Sequence, residues 1–372
     1  MTDAAPRALA LGPGPVRIWS MTSSDRLKLI FARLGLDQTD AVNDPESRRP
    51  VVLALANHVF DESLIKALAA RPDTLLVDAG GAPVAAHVGA NRVAEASEAL
   101  LSGNGASPAL SGLTRLDPAD LAYNSTLRKR AAPVLTRLDA GNVRAVEGAL
   151  FRASYKGITD LVTKYVWPTP ARIVTRWCAA AGISPNQVTF ASLLLVLVAM
   201  YLFWIGEFGW GLVAAWIMTF LDTVDGKLAR VTLTSSPWGN VFDHGIDLIH
   251  PPFWWWAWFV GVQAAGFTLP YPFLLLAVIV GGYVVQRIEE GVFIRLFGMH
   301  MHAWRPFDGF FRLITARRNP NLLLLTGATL MGRPDVGLVA VAVWTGLCLI
   351  VHLAQIVQGL GAPRPLVSWL EG

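Results

Sequence analysis

The chain has 372 residues, 53% of them hydrophobic, with a mean hydropathy of +0.44, a formal net charge of +4 and two cysteines. That apolar excess excludes an ordinary soluble protein and places much of the chain in a membrane. The pI near 9.2 comes from basic residues that are scattered or gathered beside apolar spans, which points to anionic lipid head groups and away from nucleic acid.

Residues 1–150 read as a small cytosolic α/β domain. The apolar stretch before Gly12-Pro13-Gly14-Pro15 is too short for a signal-peptide core. Strand-like runs "VRIW", "RPVVLALAN" and "TLLVDAG" accompany helical segments at about 23–35, 61–70 and 93–101. Residues 151–183 mix Val, Ile, Trp and Tyr with Lys and Arg at helical spacing, interrupted by Pro168 and Pro170. They are expected to form an interfacial helix on the cytosolic leaflet, with a solvent-covered linker helix as the plainer reading.

From 184 to 361 the pattern predicts an α-helical membrane domain of six spans of about 20 residues each. They run over 187–206, 210–229, from 239 through "HPPFWWWAWFVGVQAAG", "PYPFLLLAVIVGGYVVQRIEEG", "FFRLITARRNPNLLLLTGATLMG" and 336–357. The fifth is the weakest, with Arg317, Arg318 and Pro320 in its middle. Alternate connections are basic, which predicts a multi-pass protein of the cell (inner) membrane with both termini and the charged loops cytosolic. The run "FWWWAWF" at 253–259 reads as lipid-facing or dimer-packing aromatics, and a homodimer through the membrane helices is expected. Glu289, Glu290, His300 and His302 fall in the fourth connection and read as a solvated or interfacial loop rather than a metal site. Cys178 and Cys348 are far apart, lack metal-ligand spacing and read as packing residues.

Against this background Asp222 to Asp247 stands out. Asp222 and Asp225 are i, i+3 on the second span, and Asp243 and Asp247 are i, i+4 on the third, so each pair shares a helix face. Ionised groups in hydrocarbon are costly unless paired, hydrated or metal-bound. Four oxygen ligands without His or Cys suit a hard divalent cation, Mg²⁺ or Mn²⁺, of the kind that neutralises charge in phosphoryl transfer. Two other readings fit the charge pattern: a structural ion-pair network with Lys227, Arg230 and the basic fifth span, and a carboxylate site in a cation carrier.

The pattern Asp-x-x-Asp-Gly-x-x-Ala-Arg, eight residues, Gly-x-x-x-Asp-x-x-x-Asp is filled by Asp222, Asp225, Gly226, Ala229, Arg230, Gly239, Asp243 and Asp247. It resembles the signature of the CDP-alcohol phosphatidyltransferases, and the resemblance covers roughly Tyr155 to Val357. It implies transfer of a substituted phosphate from a CDP-linked donor to an acceptor alcohol, with release of CMP, in phospholipid synthesis. Asp222, Asp225, Asp243 and Asp247 would hold the metal, Asp243 and Asp247 being the catalytic pair and Asp247 the general base. Gly226, Ala229, Arg230 and Gly239 would shape the cytidine diphosphate pocket, joined by Asn186 and Thr189 of "SPNQVT", for which a plain helix cap is the blander role. Arg317 and Arg318 resemble basic residues that meet a phosphate on the acceptor; snorkelling to the interface is the alternative.

The stretch "EGALFRASYKGITDLVTKYV" is similar to the junction of inositol-phosphate members that carry a fused nucleotidyltransferase. That similarity implies a degenerate nucleotidyltransferase-like domain over 1–150, a CDP-diacylglycerol type donor and a polyol or polyol phosphate acceptor. The segment "DGKLAR...SSPWGNVFDHGID" is instead similar to the choline and ethanolamine phosphotransferases, where a small CDP-alcohol donates and a diacylglycerol accepts. A cation carrier or structural membrane protein is the reading from another class.

Overall fold

The computed structural model describes residues 6–40 and 49–371, which fall into two compact units: Met1–Tyr155 with Arg230–Leu233, and Lys156–Ala229 with Thr234–Gly372. The first unit is α/β. Its strands are β1 (Arg7–Leu11), β2 (Arg17–Ile18), β3 (Met21–Thr22), β4 (Asp37–Gln38), β5 (Val51–Leu55), β6 (His58–Phe60), β7 (Thr74–Val77), β8 (Pro83–Val88), β9 (Thr114–Leu116), β10 (Tyr123–Asn124), β11 (Lys129–Arg130) and β12 (Leu135–Arg137). Six of these form a mixed sheet in the order β4-β1-β5-β8-β7-β9, with β1 parallel to both β4 and β5 and β8 antiparallel to its neighbours. Helices α1 (Ser23–Arg33), α2 (Glu62–Ala69), α3 (Val93–Ser102) and α4 (Val143–Ala153) complete the unit.

Side chains alternate across a strand, and on β5 they divide two cores. Val52 and Ala54 pack with Leu27, Ile30 and Phe31 of α1 and Leu64 and Leu68 of α2; Val51 and Leu53 pack with Val93, Ala96 and Leu100 of α3. In the glycine-rich loop after β1, a Cβ on Gly14 would meet Ala56 O at 2.3 Å and Ser23 Oγ at 2.7 Å. That glycine is occupied by close packing onto backbone, and Ser23 donates to the same Ala56 O at 2.6 Å.

The second unit is helical. A π-helical turn, Val162–Val166, leads into α5 (Pro168–Ala180), α6 (Pro185–Trp204), α7 (Phe208–Val231), α8 (Pro237–Ala264), α9 (Pro272–Phe297), α10 (Pro306–Phe311), α11 (Arg318–Leu330) and α12 (Pro334–Gly361). Six of these eight helices begin on proline. Proline suits a first turn because its φ is preset and its missing N–H would be unpaired there anyway. At α6 the start is reinforced by a capping box, with Ser184 Oγ accepting from Gln187 N and Gln187 Oε1 accepting from Ser184 N.

The six expected spans are corrected to three. Among the described residues, α6, α9 and α12 are long and apolar enough to cross a membrane, with mean hydropathies of 2.0, 1.5 and 2.3 over their most apolar stretches. The other three fail for separate reasons. Helix α7 carries Asp222, Asp225, Lys227 and Arg230 in its last turns, and α8 carries Asp243, His244, Asp247 and His250 and then Pro251 and Pro252. The weakest expected span breaks into α10 and the 13-residue α11, which at 1.5 Å per residue reaches about 20 Å, short of a hydrocarbon core of about 30 Å. The three candidate crossings make this a multi-pass membrane protein.

The aromatic run also departs from expectation. Trp254, Trp255 and Trp258 are fully buried in the helical core, while Phe253 and Trp256 are exposed. Burial is affordable because Trp254 Nε1 donates to Val196 O at 2.9 Å and Trp258 Nε1 to Pro334 O at 3.1 Å. Between α6 and α8 the backbones nearly touch: a Cβ on Gly261 would lie 1.9 Å from Phe203 O. Cys178 and Cys348 are both buried and unbridged.

Candidate active site

Helix α7 ends with Asp222 and Asp225, and α8 returns with Asp243 and Asp247. Between them Ser236 caps α8 by accepting from Gly239 N at 3.0 Å. One carboxylate oxygen each from Asp222, Asp225 and Asp243 lie within 4.8 Å of one another. Like charges this close repel strongly in a partly dry site, so something must hold them.

Protein groups supply part of the answer. Thr189 Oγ1 of α6 donates to Asp225 Oδ2 at 2.6 Å. From the start of α11, Arg318 forks across two helices, Nη2 donating to Asp222 Oδ2 at 2.5 Å and Nη1 to Asp247 Oδ1. Such charge-assisted bonds are the strong ones. Asp225 Oδ1 is nevertheless buried with no hydrogen-bond partner. An orphaned carboxylate oxygen beside two further carboxylates is a donor set that fits a hard divalent cation such as Mg²⁺ or Mn²⁺.

Exposure grades the four acids. Asp225 is buried, the side chains of Asp222 and Asp243 are 17% and 30% exposed, and that of Asp247 is 41% exposed. Asp247 is thus the carboxylate most open to an incoming molecule.

The remaining expected site residues divide. Gly239 lies against the Asn186 side chain, where an added Cβ would meet Asn186 Oδ1 at 2.9 Å. Gly226 and Ala229 follow Asp225 along α7. Arg230 belongs to the other compact unit, where it donates to Ser154 O at 3.3 Å. Arg317 does not accompany Arg318; it pairs with Glu290 of α9.

Two groups escaped the sequence reading. Asp160 is buried and accepts from Asn319 Nδ2 at 2.9 Å and Thr163 N at 3.0 Å, anchoring the residue next to Arg318. Burial pushes its carboxyl up, but the Arg312 charge and the bonds from Thr163 and Asn319 outweigh it and hold the group below the usual range. A lone Asp in a mixed polar segment carries no spacing signal. The second miss is the expected solvated loop: Glu289 and Glu290 lie within α9, and His302 is buried in a short 3₁₀ turn, Met301–Ala303, although His300 is exposed. Burial pushes His302 down to about 3 despite Glu290 nearby, so the ring is neutral.

Residues 182–316, which span the aspartates, match the family model for CDP-alcohol phosphatidyltransferase. This segment is a CDP-alcohol phosphatidyltransferase domain. Similar proteins lie on two branches. The chain is 30% identical over 148 residues to ethanolaminephosphotransferase 1 of Pongo abelii, covering 33% of this chain and 35% of that one. It is 37% identical over 79 residues to archaetidylinositol phosphate synthase of Pyrococcus horikoshii (21% and 42%), and 31% identical over 93 residues to phosphatidylinositol phosphate synthase of Streptomyces avermitilis (24% and 38%). The chain thus spans between 35% and 42% of the length of these relatives. The CDP-alcohol phosphatidyltransferase domain is common to both branches, and neither inositol nor choline and ethanolamine is singled out by membership.

Proposed function

We propose that the chain transfers the phospho-alcohol group of a CDP-linked alcohol to an acceptor hydroxyl, releasing CMP. The observation that carries this reading is the convergence of Asp222, Asp225 and Asp243 on one point, with an unpartnered oxygen on Asp225. In it these three residues hold Mg²⁺ or Mn²⁺, which supplies charge neutralisation for the diphosphate when bound. Asp247, the most open carboxylate, takes the proton of the acceptor hydroxyl. The new O–P bond forms from that oxygen to the phosphorus distal to cytidine, the bridging P–O bond breaks, and CMP leaves with the electron pair. Thr189 positions Asp225, Arg318 positions Asp222 and Asp247, and Asn186 and Gly239 line the nucleotide side. The basic flanks of the aspartate-bearing helix ends support a cytosolic site.

The donor is proposed to carry a small alcohol and the acceptor to be a diacylglycerol-like lipid, because the longest of the reported matches is to an ethanolaminephosphotransferase. Arg318, already engaged by two aspartates, then serves the donor side and needs no phosphate on the acceptor. The second reading, a CDP-diacylglycerol donor with a polyol phosphate acceptor, draws on the two inositol-phosphate synthases and would give Arg317 and Arg318 an anion to meet. A donor swap decides: purified protein with Mg²⁺ or Mn²⁺ should release CMP from CDP-ethanolamine or CDP-choline with diacylglycerol. Release only from CDP-diacylglycerol with an inositol phosphate selects the second reading, and no release from either pair sinks both.

A further inference from the structure

Helix α9, the 3₁₀ turn at Met301–Ala303 and α12 enclose a second polar cluster made of Glu289, Glu290, His302 and His352. One ligand atom each from Glu290, His302 and His352 lie within 4.8 Å of one another. His302 is 2% and His352 0% exposed, with ring centroids 5.4 Å apart. None of the four ring nitrogens has a hydrogen-bond partner, and neither does Glu289 Oε2. His302 Nε2 stands 3.5 Å from Glu290 Oε1, at the outer limit of a hydrogen bond, and His352 Nδ1 stands 3.4 Å from Glu289 Oε2.

Each unpaired buried polar atom costs about 1–3 kcal/mol, and native interiors seldom leave them in groups. One nitrogen of each imidazole and a carboxylate oxygen of Glu290 face one point, and together they ask for a single occupant that accepts several lone pairs at once. Charge alone does not draw a cation here, because Arg317 pairs with Glu290, Arg287 stands 3.6 Å from it, and Arg312 also acts on His302. The occupant must be held by coordination. Two imidazole nitrogens with carboxylate oxygens suit a borderline transition ion such as Zn²⁺ far better than Mg²⁺.

We propose that His302 and His352, with Glu290 and Glu289 supplying oxygens, form a site for one transition-metal cation of the Zn²⁺ class, distinct from the aspartate site. It fastens α9 to α12 and to the turn between α9 and α10. Glu290 also holds Arg317, the neighbour of Arg318, so the clamp and the aspartates share a rigid connection.

The test uses the full chain in detergent, stripped by chelator and then titrated with Co²⁺ as a visible reporter and with Zn²⁺. About one Co²⁺ per chain should bind with a visible absorption band that Zn²⁺ removes and excess Mg²⁺ does not. After desalting, retained zinc should fall about tenfold or more in His302→Gln and His352→Gln and persist in Asp222→Asn and Asp225→Asn. Absence of a Mg²⁺-resistant band in the wild-type chain overturns the site whether or not the variants fold. So does zinc lost from the aspartate variants but kept by the histidine variants; water alone fills the cluster in that case.

Discussion

The helical unit contains two polar clusters that handle buried charge in opposite ways. The aspartate site gathers four acids at the ends of α7 and α8 and leaves Asp247 41% exposed, so that charge is tolerated through access to solvent and Arg318, with the proposed cation taking up the rest. The Glu290, His302 and His352 cluster is closed, nearly neutral among its arginines, and built from softer donors. The difference teaches that burial is matched to use: an open carboxylate site suits contents that exchange, whereas a closed imidazole site suits an ion that stays.

The largest expected effect is at the open site. Asp225→Ala removes the buried ligand and should lower CMP release by about a thousandfold, the scale on which lost charge stabilisation at a transferring phosphoryl group acts; near-normal release would end the metal-site reading. Asp247→Asn should cost about a hundredfold in kcat with KM for the donor little changed, and a change confined to KM would give Asp247 a binding role only. Thr189→Val removes one hydrogen bond to a carboxylate and should cost about tenfold, equivalent to about 1.4 kcal/mol. If its loss cannot be offset by raising Mg²⁺, Thr189 does not act through the metal ligand.

The smallest effect is on stability. Asp160→Asn should lower the thermal midpoint by the equivalent of about 1–3 kcal/mol at neutral pH. Because the folded pKa of Asp160 is depressed, its contribution is fully present above the unfolded value and is lost as pH falls through the folded one. The gap between wild type and variant should therefore close on acidification, and a gap that stays constant would show that Asp160 acts by packing instead.

The aspartate site is legible in sequence because its spacing is local: i, i+3 and i, i+4 within two consecutive helices, the second capped by Ser236. Its supports are partly legible, since Thr189 sits in the "SPNQVT" start of α6, but Asn319 and Asp160 lie 159 positions apart and meet only in the fold. The histidine cluster is only half legible: Glu289, Glu290 and His302 are near one another in sequence and read as a solvated loop, whereas His352 arrives from α12. Span number is over-read from the sequence because charged and proline-bearing runs of sufficient length pass for crossings. Helices α7 and α8 reach sufficient length, but they are loaded with charge, proline and tryptophan, and the tryptophans turn inward once carbonyls such as Val196 O accept their N–H groups.

The proline starts bear on biogenesis. A helix entering a bilayer carries several amide donors on its leading turn that no helical carbonyl can satisfy, and each would be costly in lipid. With Pro185, Pro272 and Pro334 opening α6, α9 and α12, every candidate crossing is synthesised with one of those donors already absent. Each of the three thus has one unpaired amide donor fewer to satisfy at its first turn.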